Sequence, residues 1–141
     1  PTLNEYLEFL EKTYVIYRLP AFAGADRASA LGKKLYFRDN GIAGILAQPG
    51  DGAMFENAVF NQLSHLGDLA YLMKGKEYEI DFVLTQPENR PVGLEVKYHP
   101  LATDQQRVQR IAQKNDLATS WLIGRHPTPG FDDFLWGGLI L

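Results

Sequence analysis

Two alternating runs constrain this chain more than any other feature: Tyr78-Glu-Ile-Asp-Phe-Val-Leu84 and Val92-Gly-Leu-Glu-Val-Lys-Tyr98. Side chains two residues apart on a strand share a face. Ile80, Phe82 and Leu84 are therefore expected on the buried face of the first strand, with Leu94 and Val96 on that of the second. Glu79, Asp81, Glu95 and Lys97 fall on the other face. The intervening Thr85-Gln-Pro-Glu-Asn-Arg-Pro91 is rich in turn formers. If that turn closes an antiparallel hairpin, Asp81 lands opposite the Glu95–Lys97 stretch. Carboxylates this close repel unless a cation or a proton neutralises them. A divalent metal is one such cation, and it points to phosphodiester chemistry. The plainer reading is a solvated charged face whose cross-strand Glu–Lys pairs stabilise modestly.

The length of 141 residues suits one domain with a real core and is short for two. A hydrophobic share of 45% and a charged share of 22% are ordinary for a soluble globular protein, and no apolar run is long enough to cross a bilayer. Starting at Pro1 with no signal-peptide pattern, the sequence reads as a fragment of a longer protein. The absence of cysteine excludes disulfides, thiolate zinc sites and cysteine nucleophiles, and fits a cytoplasmic location. A net charge of −3 argues against a strong nonspecific grip on nucleic acid. Local basic patches remain at Lys33, Lys34 and Arg38, at Lys74 and Lys76, and at Arg107, Arg110 and Lys114.

Thr2 with Glu5 fits a capping box ahead of a helix with the apolar stripe Leu3, Tyr6, Leu7 and Leu10. Thr13–Leu19 and Lys34–Arg38 read as strands joined by the small-residue stretch Ala21–Gly32. This helix and hairpin are either a winged-helix remnant over residues 1–39 or elements packed on the main sheet. Asp39-Asn40-Gly41 breaks the chain, and Ile42–Ala47 is a short helix at best. A helix is expected over Ala53–Leu66 with Gly67 as C-cap, then a strand over Leu69–Met73, the two motif strands, a helix over Thr103–Asn115 and a strand over Ser120–Gly124. Trp121 and Trp136 sit in apolar runs expected in the core, and the tail from Phe131 to Leu141 is left open as helix or strand.

Glu56, on the helix entering the sheet, is a third acid of interest, because a partly buried carboxylate needs a partner. Glu56, Asp81 and Glu95 form the candidate ligand set for Mg²⁺ or Mn²⁺, hard ions that prefer oxygen donors. Lys97 is the candidate catalytic helper, with positioning and electrostatics favoured over proton abstraction because neighbouring acids hold a lysine protonated. Tyr71, Tyr78 and Tyr98 suit either base stacking or sheet packing, and His99 suits a loop role.

The order Glu56, Asp81, Glu95-x-Lys97 on helix–strand–strand–strand–helix–strand resembles the PD-(D/E)xK nuclease superfamily. More narrowly, the chain resembles an uncharacterised C-terminal domain of bacterial and archaeal AAA+ ATPases. The matching stretches are Tyr6-Leu-Glu-Phe-Leu-Glu11, Tyr17-Arg-Leu-Pro20, Lys34-Leu-Tyr-Phe-Arg-Asp-Asn-Gly41, Gly52-Ala-Met-Phe-Glu-Asn57, Glu79-Ile-Asp-Phe-Val83 and Leu94-Glu-Val-Lys97. The resemblance implies a restriction-endonuclease-like mixed sheet flanked by helices over residues 40–141, a winged-helix remnant before it, and an N-terminal ATPase module outside this sequence. It also implies DNA as a partner. Two departures stand out. The sequence has no G-x-x-x-x-G-K-[ST] run, so no nucleotide site is expected, and no tyrosine completes the Gln-x-x-x-Tyr pattern that many relatives carry after the lysine. The resulting expectation is a divalent-metal-dependent nuclease-like domain; the alternative is an inactive scaffold docking the ATPase or another protein, with oligomeric state open.

Overall fold

The computed structural model describes residues 1–22 and 32–138. Most of the small-residue stretch after Ala21, and the last three residues of the apolar tail, lie outside the described residues. Helix α1 (Leu3–Lys12) starts at the expected capping box: the Thr2 side chain accepts from Glu5 N–H, and the Glu5 carboxylate from Thr2 N–H. Strands β1 (Ile16–Pro20) and β2 (Lys33–Phe37) pair antiparallel, with Tyr17 opposite Tyr36 and Leu19 opposite Lys34. Helix α2 (Asn40–Leu46) is N-capped by Asp39.

Helix α3 (Asp51–Leu63) ends earlier than its apolar spacing suggests, with Ser64 as C-cap. Gly67 serves packing instead of capping: a Cβ there would lie 2.6 Å from the Thr85 carbonyl oxygen. Strands β3 (Asp68–Lys74), β4 (Tyr78–Thr85) and β5 (Val92–Lys97) run antiparallel in turn. Helix α4 (Ala102–Lys114) carries the chain across to β6 (Thr119–Gly124), which joins β5 in parallel, and β7 (Leu135–Trp136) adds parallel to β6. The five-stranded sheet is therefore mixed, in the order β3-β4-β5-β6-β7. The α/β expectation holds.

Both faces of the sheet are covered. On one, Phe55, Val59, Phe60 and Leu63 of α3 join Leu19 and Tyr36 of the hairpin over Phe82, Leu94 and Val96. On the other, Val108, Ile111 and Ala112 of α4 meet Leu72, Ile80 and Val83. The β1–β2 hairpin thus shares the main core. Asn57, buried on α3, fastens it: its amide donates to the Phe37 carbonyl at 3.0 Å and accepts from Phe37 N–H at 2.8 Å. Helix α1, by contrast, has no buried residue.

Two further expectations fail. Ile80, Phe82 and Leu84 do not share a face, because β4 bulges: Ala70 pairs with Val83 but Leu72 with Ile80, so Asp81 and Phe82 both stand opposite Tyr71. The bulge re-phases the strand, sending Ile80 and Val83 toward α4 and Phe82 and Leu84 toward α3. Nor are the tryptophans core residues. Trp121 is 49% and Trp136 44% exposed, since β6 buries only Leu122–Gly124 and β7 is an exposed edge.

Candidate functional site

The bulge in β4 aims Asp81 across the top of the motif hairpin. The β4–β5 register, with Phe82 opposite Leu94, brings Asp81 to the start of the Glu95–Lys97 stretch, and Asp81 Oδ2 accepts from Val96 N–H at 2.9 Å. A backbone donor fixes this carboxylate without neutralising it. Bulges commonly re-aim a side chain in this way beside active sites.

Glu95 is 3% exposed, although acids are seldom so buried unless paired. Its Oε1 accepts from the Lys97 ammonium at 3.0 Å and from the Arg107 guanidinium on α4. Arg107 also reaches the Glu79 carbonyl. Oε2 of Glu95 is buried with no hydrogen-bond partner among the described residues. Burial first, then the Asp81 charge, holds the Glu95 carboxyl above its ordinary value of 4.5, against the opposing pull of Lys97 and Arg107. Burial tends to lower the Lys97 pKa, but Glu95 and Asp81 outweigh it and raise the ammonium above 10.5. Lys97 is therefore a cation throughout the neutral range.

Glu56 approaches from α3. Its Oε1 accepts from the Tyr36 hydroxyl at 2.6 Å, and it lines a cleft of about 270 Å³ with Lys34, Tyr36, Ala43, Pro49 and Asn57. Burial and the Asp81 charge raise its pKa above 4.5, opposed by Tyr36 and Lys34. Burial and the Glu56 charge likewise raise the Tyr36 phenol, which stays a donor. Asp81 is thus the middle acid, close enough to act on both Glu56 and Glu95. Among the described residues, no three acid or histidine side chains are grouped so that they could hold a metal ion as they stand.

Three partners of these acids escape sequence reasoning. Lys34 pairs with Glu79 and lies 3.6 Å from Asp81 Oδ1, Arg107 caps Glu95, and Tyr36 serves Glu56. Spacing held part of the signal: Lys34 and Tyr36 share a face of β2, and Arg107 lies one helical turn from Ile111, which packs inward. The basic patches expected there point at least partly inward. Tyr71 is buried in the core, Tyr78 bonds Asn115, and Tyr98 packs on Phe55, His99 and His126, so sheet packing describes all three.

The pH dependence follows. Glu56 and Glu95 have folded pKa values above their ordinary 4.5, so the folded chain holds these protons more tightly than the unfolded one. Their contribution favours folding at low pH and is lost as pH rises from 4.5 through the folded values. In metal-free buffer, Glu56→Gln is expected to melt at a higher temperature than wild type near pH 7, with the difference shrinking toward pH 4.5. Thermal melts across that range check this; parallel curves would contradict it.

Fold and site together define an α/β domain whose central antiparallel strands bring the buried Glu95 and the half-buried Asp81 beside a lysine. Residues 51–125 match the family model described as a domain of unknown function (DUF4143), and the chain belongs to that family. Residues 1–51 match a second model, also a domain of unknown function (DUF8612). No curated protein and no solved structure matches the chain. No helix among the described residues is long and apolar enough to cross a membrane.

Proposed function

We propose that this chain is a restriction-endonuclease-like domain of the PD-(D/E)xK type, acting on or binding DNA with Mg²⁺ or Mn²⁺, and attached in its full-length setting to an AAA+ ATPase. The common occurrence of the DUF4143 family with AAA ATPases supports the last part. The observation that carries the site is the buried, unpartnered Oε2 of Glu95 beside Asp81. A buried carboxylate oxygen without a donor is costly, and a divalent ion satisfies it. The donors are all carboxylate oxygens, the chemistry that Mg²⁺ and Mn²⁺ favour.

Asp81 and Glu95 would hold the ion with Glu56 drawn in from α3, and the ion when bound would polarise the phosphate and acidify a bound water. The chain's own residues do the rest. Val96 N–H orients Asp81, Arg107 holds Glu95 at Oε1, and the Tyr36 hydroxyl orients Glu56. Lys97, held protonated by Glu95, offers its ammonium to an attacking water or to a phosphate oxygen. Its raised pKa speaks against a general-base role. The test is Mg²⁺-dependent cleavage of DNA by wild type against Asp81→Asn; a wild type that neither cleaves DNA nor binds the ion defeats the reading.

A second reading, a catalytically silent scaffold for a protein partner, is favoured by one observation. Leu3, Tyr6 and Phe9 on α1 are 75%, 56% and 63% exposed, a row of large apolar side chains along one helix.

A further inference from the structure

The N-terminal hairpin does more than pack on the core. Its strand β2 points Lys34 and Tyr36 at the acids from one face, Tyr36 onto Glu56 and Lys34 onto Glu79 and Asp81. The Lys34 ammonium also lies 5.6 Å from the centre of the Tyr71 ring, the residue opposite the β4 bulge. The hairpin is held in place by the Asn57 clamp on Phe37 and by Phe22 N–H donating to the Tyr71 carbonyl at 2.6 Å. Lys34 is thus built into the acid cluster, with its side chain only 25% exposed.

We propose that Lys34 is a tethered counterion that competes with a divalent cation for the Asp81 carboxylate, so that its ion pair with Asp81 sets the occupancy of the acidic site. This rests on the cation-site reading above and adds its regulation. A single ammonium faces Glu79, Asp81 and Glu56, and so only partly compensates them. A divalent ion on Asp81 would meet that ammonium at close range in a partly buried setting, where like charges repel strongly. The two cations therefore exclude one another from Asp81, and Lys34 must withdraw for the ion to bind. Lys34 lies in the segment matched by the first family model, and Glu79 and Asp81 in that matched by the second, so the contact couples the two segments.

Calorimetric Mn²⁺ titration of wild type, Lys34→Met, Lys34→Gln, Lys34→Arg and the exposed-site control Lys33→Met tests this. The two neutral variants at position 34 are expected to bind about tenfold more tightly than wild type. The arginine variant and the control should match wild type. A second readout needs no variant: Mn²⁺ should speed acetylation of the Lys34 amine, but not of Lys33, in wild type, followed by mass spectrometry. Equal or weaker Mn²⁺ binding by folded neutral variants, or unchanged Lys34 reactivity in Mn²⁺-bound wild type, overturns the counterion role and leaves the cation site standing. Absence of Mn²⁺ binding in wild type and neutral variants alike overturns both.

Discussion

Lys97→Met is expected to lower Mg²⁺-dependent DNA cleavage by about 10²–10³-fold, the usual loss when one stabilising donor is removed from a reacting centre. Mn²⁺ binding should not weaken, because the substitution removes a positive charge 3.0 Å from Glu95 Oε1. The charge-preserving Lys97→Arg separates two roles. Glu95 and Asp81 hold Lys97 as an ammonium, so under the proposed function it would contribute a cation that orients water or phosphate, and arginine would restore part of it. Arginine does not give up its proton near neutral pH, so a variant as inactive as methionine would assign proton transfer to Lys97. Wild-type cleavage by Lys97→Met would remove the residue from the reaction.

Phe60→Ala is expected to destabilise the fold by about 3–5 kcal/mol, the range for truncating a buried phenylalanine. Phe60 is fully buried where three elements meet. Its ring stacks on Tyr36 at 4.5 Å, tilts against Tyr17 at 5.3 Å and lies 6.3 Å from Phe82. Truncation opens a cavity among aromatic rings that small side-chain shifts fill poorly. Against a domain stability of about 5–15 kcal/mol, such a loss leaves little or nothing at 37 °C. It also undermines the site, since Tyr36 loses the ring it stacks on and Glu56 the donor that orients it. Urea denaturation followed by far-UV circular dichroism checks the figure, and a loss under about 1 kcal/mol would contradict the packing account.

Much of the fold is local and was therefore legible. The capping box at Thr2 and Glu5, the hairpin around Pro87–Pro91, and the order of helices and strands from α3 to β6 all depend on neighbouring residues. What failed depends on distant ones. The run from Tyr78 to Phe82 alternates without a break in sequence, and the bulge at Asp81 and Phe82 appears only in pairing with Tyr71 on β3. Trp121 reads as core by its apolar company, yet β6 leaves its first half uncovered. At the site, Asp81, Glu95 and Lys97 were legible because two motif strands carry them. Lys34, Tyr36 and Arg107 were not, because each comes from an element brought to the acids by tertiary packing. Asn57, one residue after Glu56, belongs with these: its buried amide fastens the hairpin that delivers Lys34 and Tyr36.

Under the proposed function, Asp81 joins Glu56 and Glu95 in one divalent-cation site that serves phosphodiester cleavage. Asp81→Asn keeps the shape and an oxygen able to accept from Val96 N–H, and removes only the charge. The most direct measurement pairs Mn²⁺ calorimetry with Mg²⁺-dependent cleavage of labelled DNA, on wild type and Asp81→Asn side by side. A bound ion and cleavage are expected in wild type, both lost together in the variant. Equal ion binding and equal cleavage by the two proteins would contradict that function.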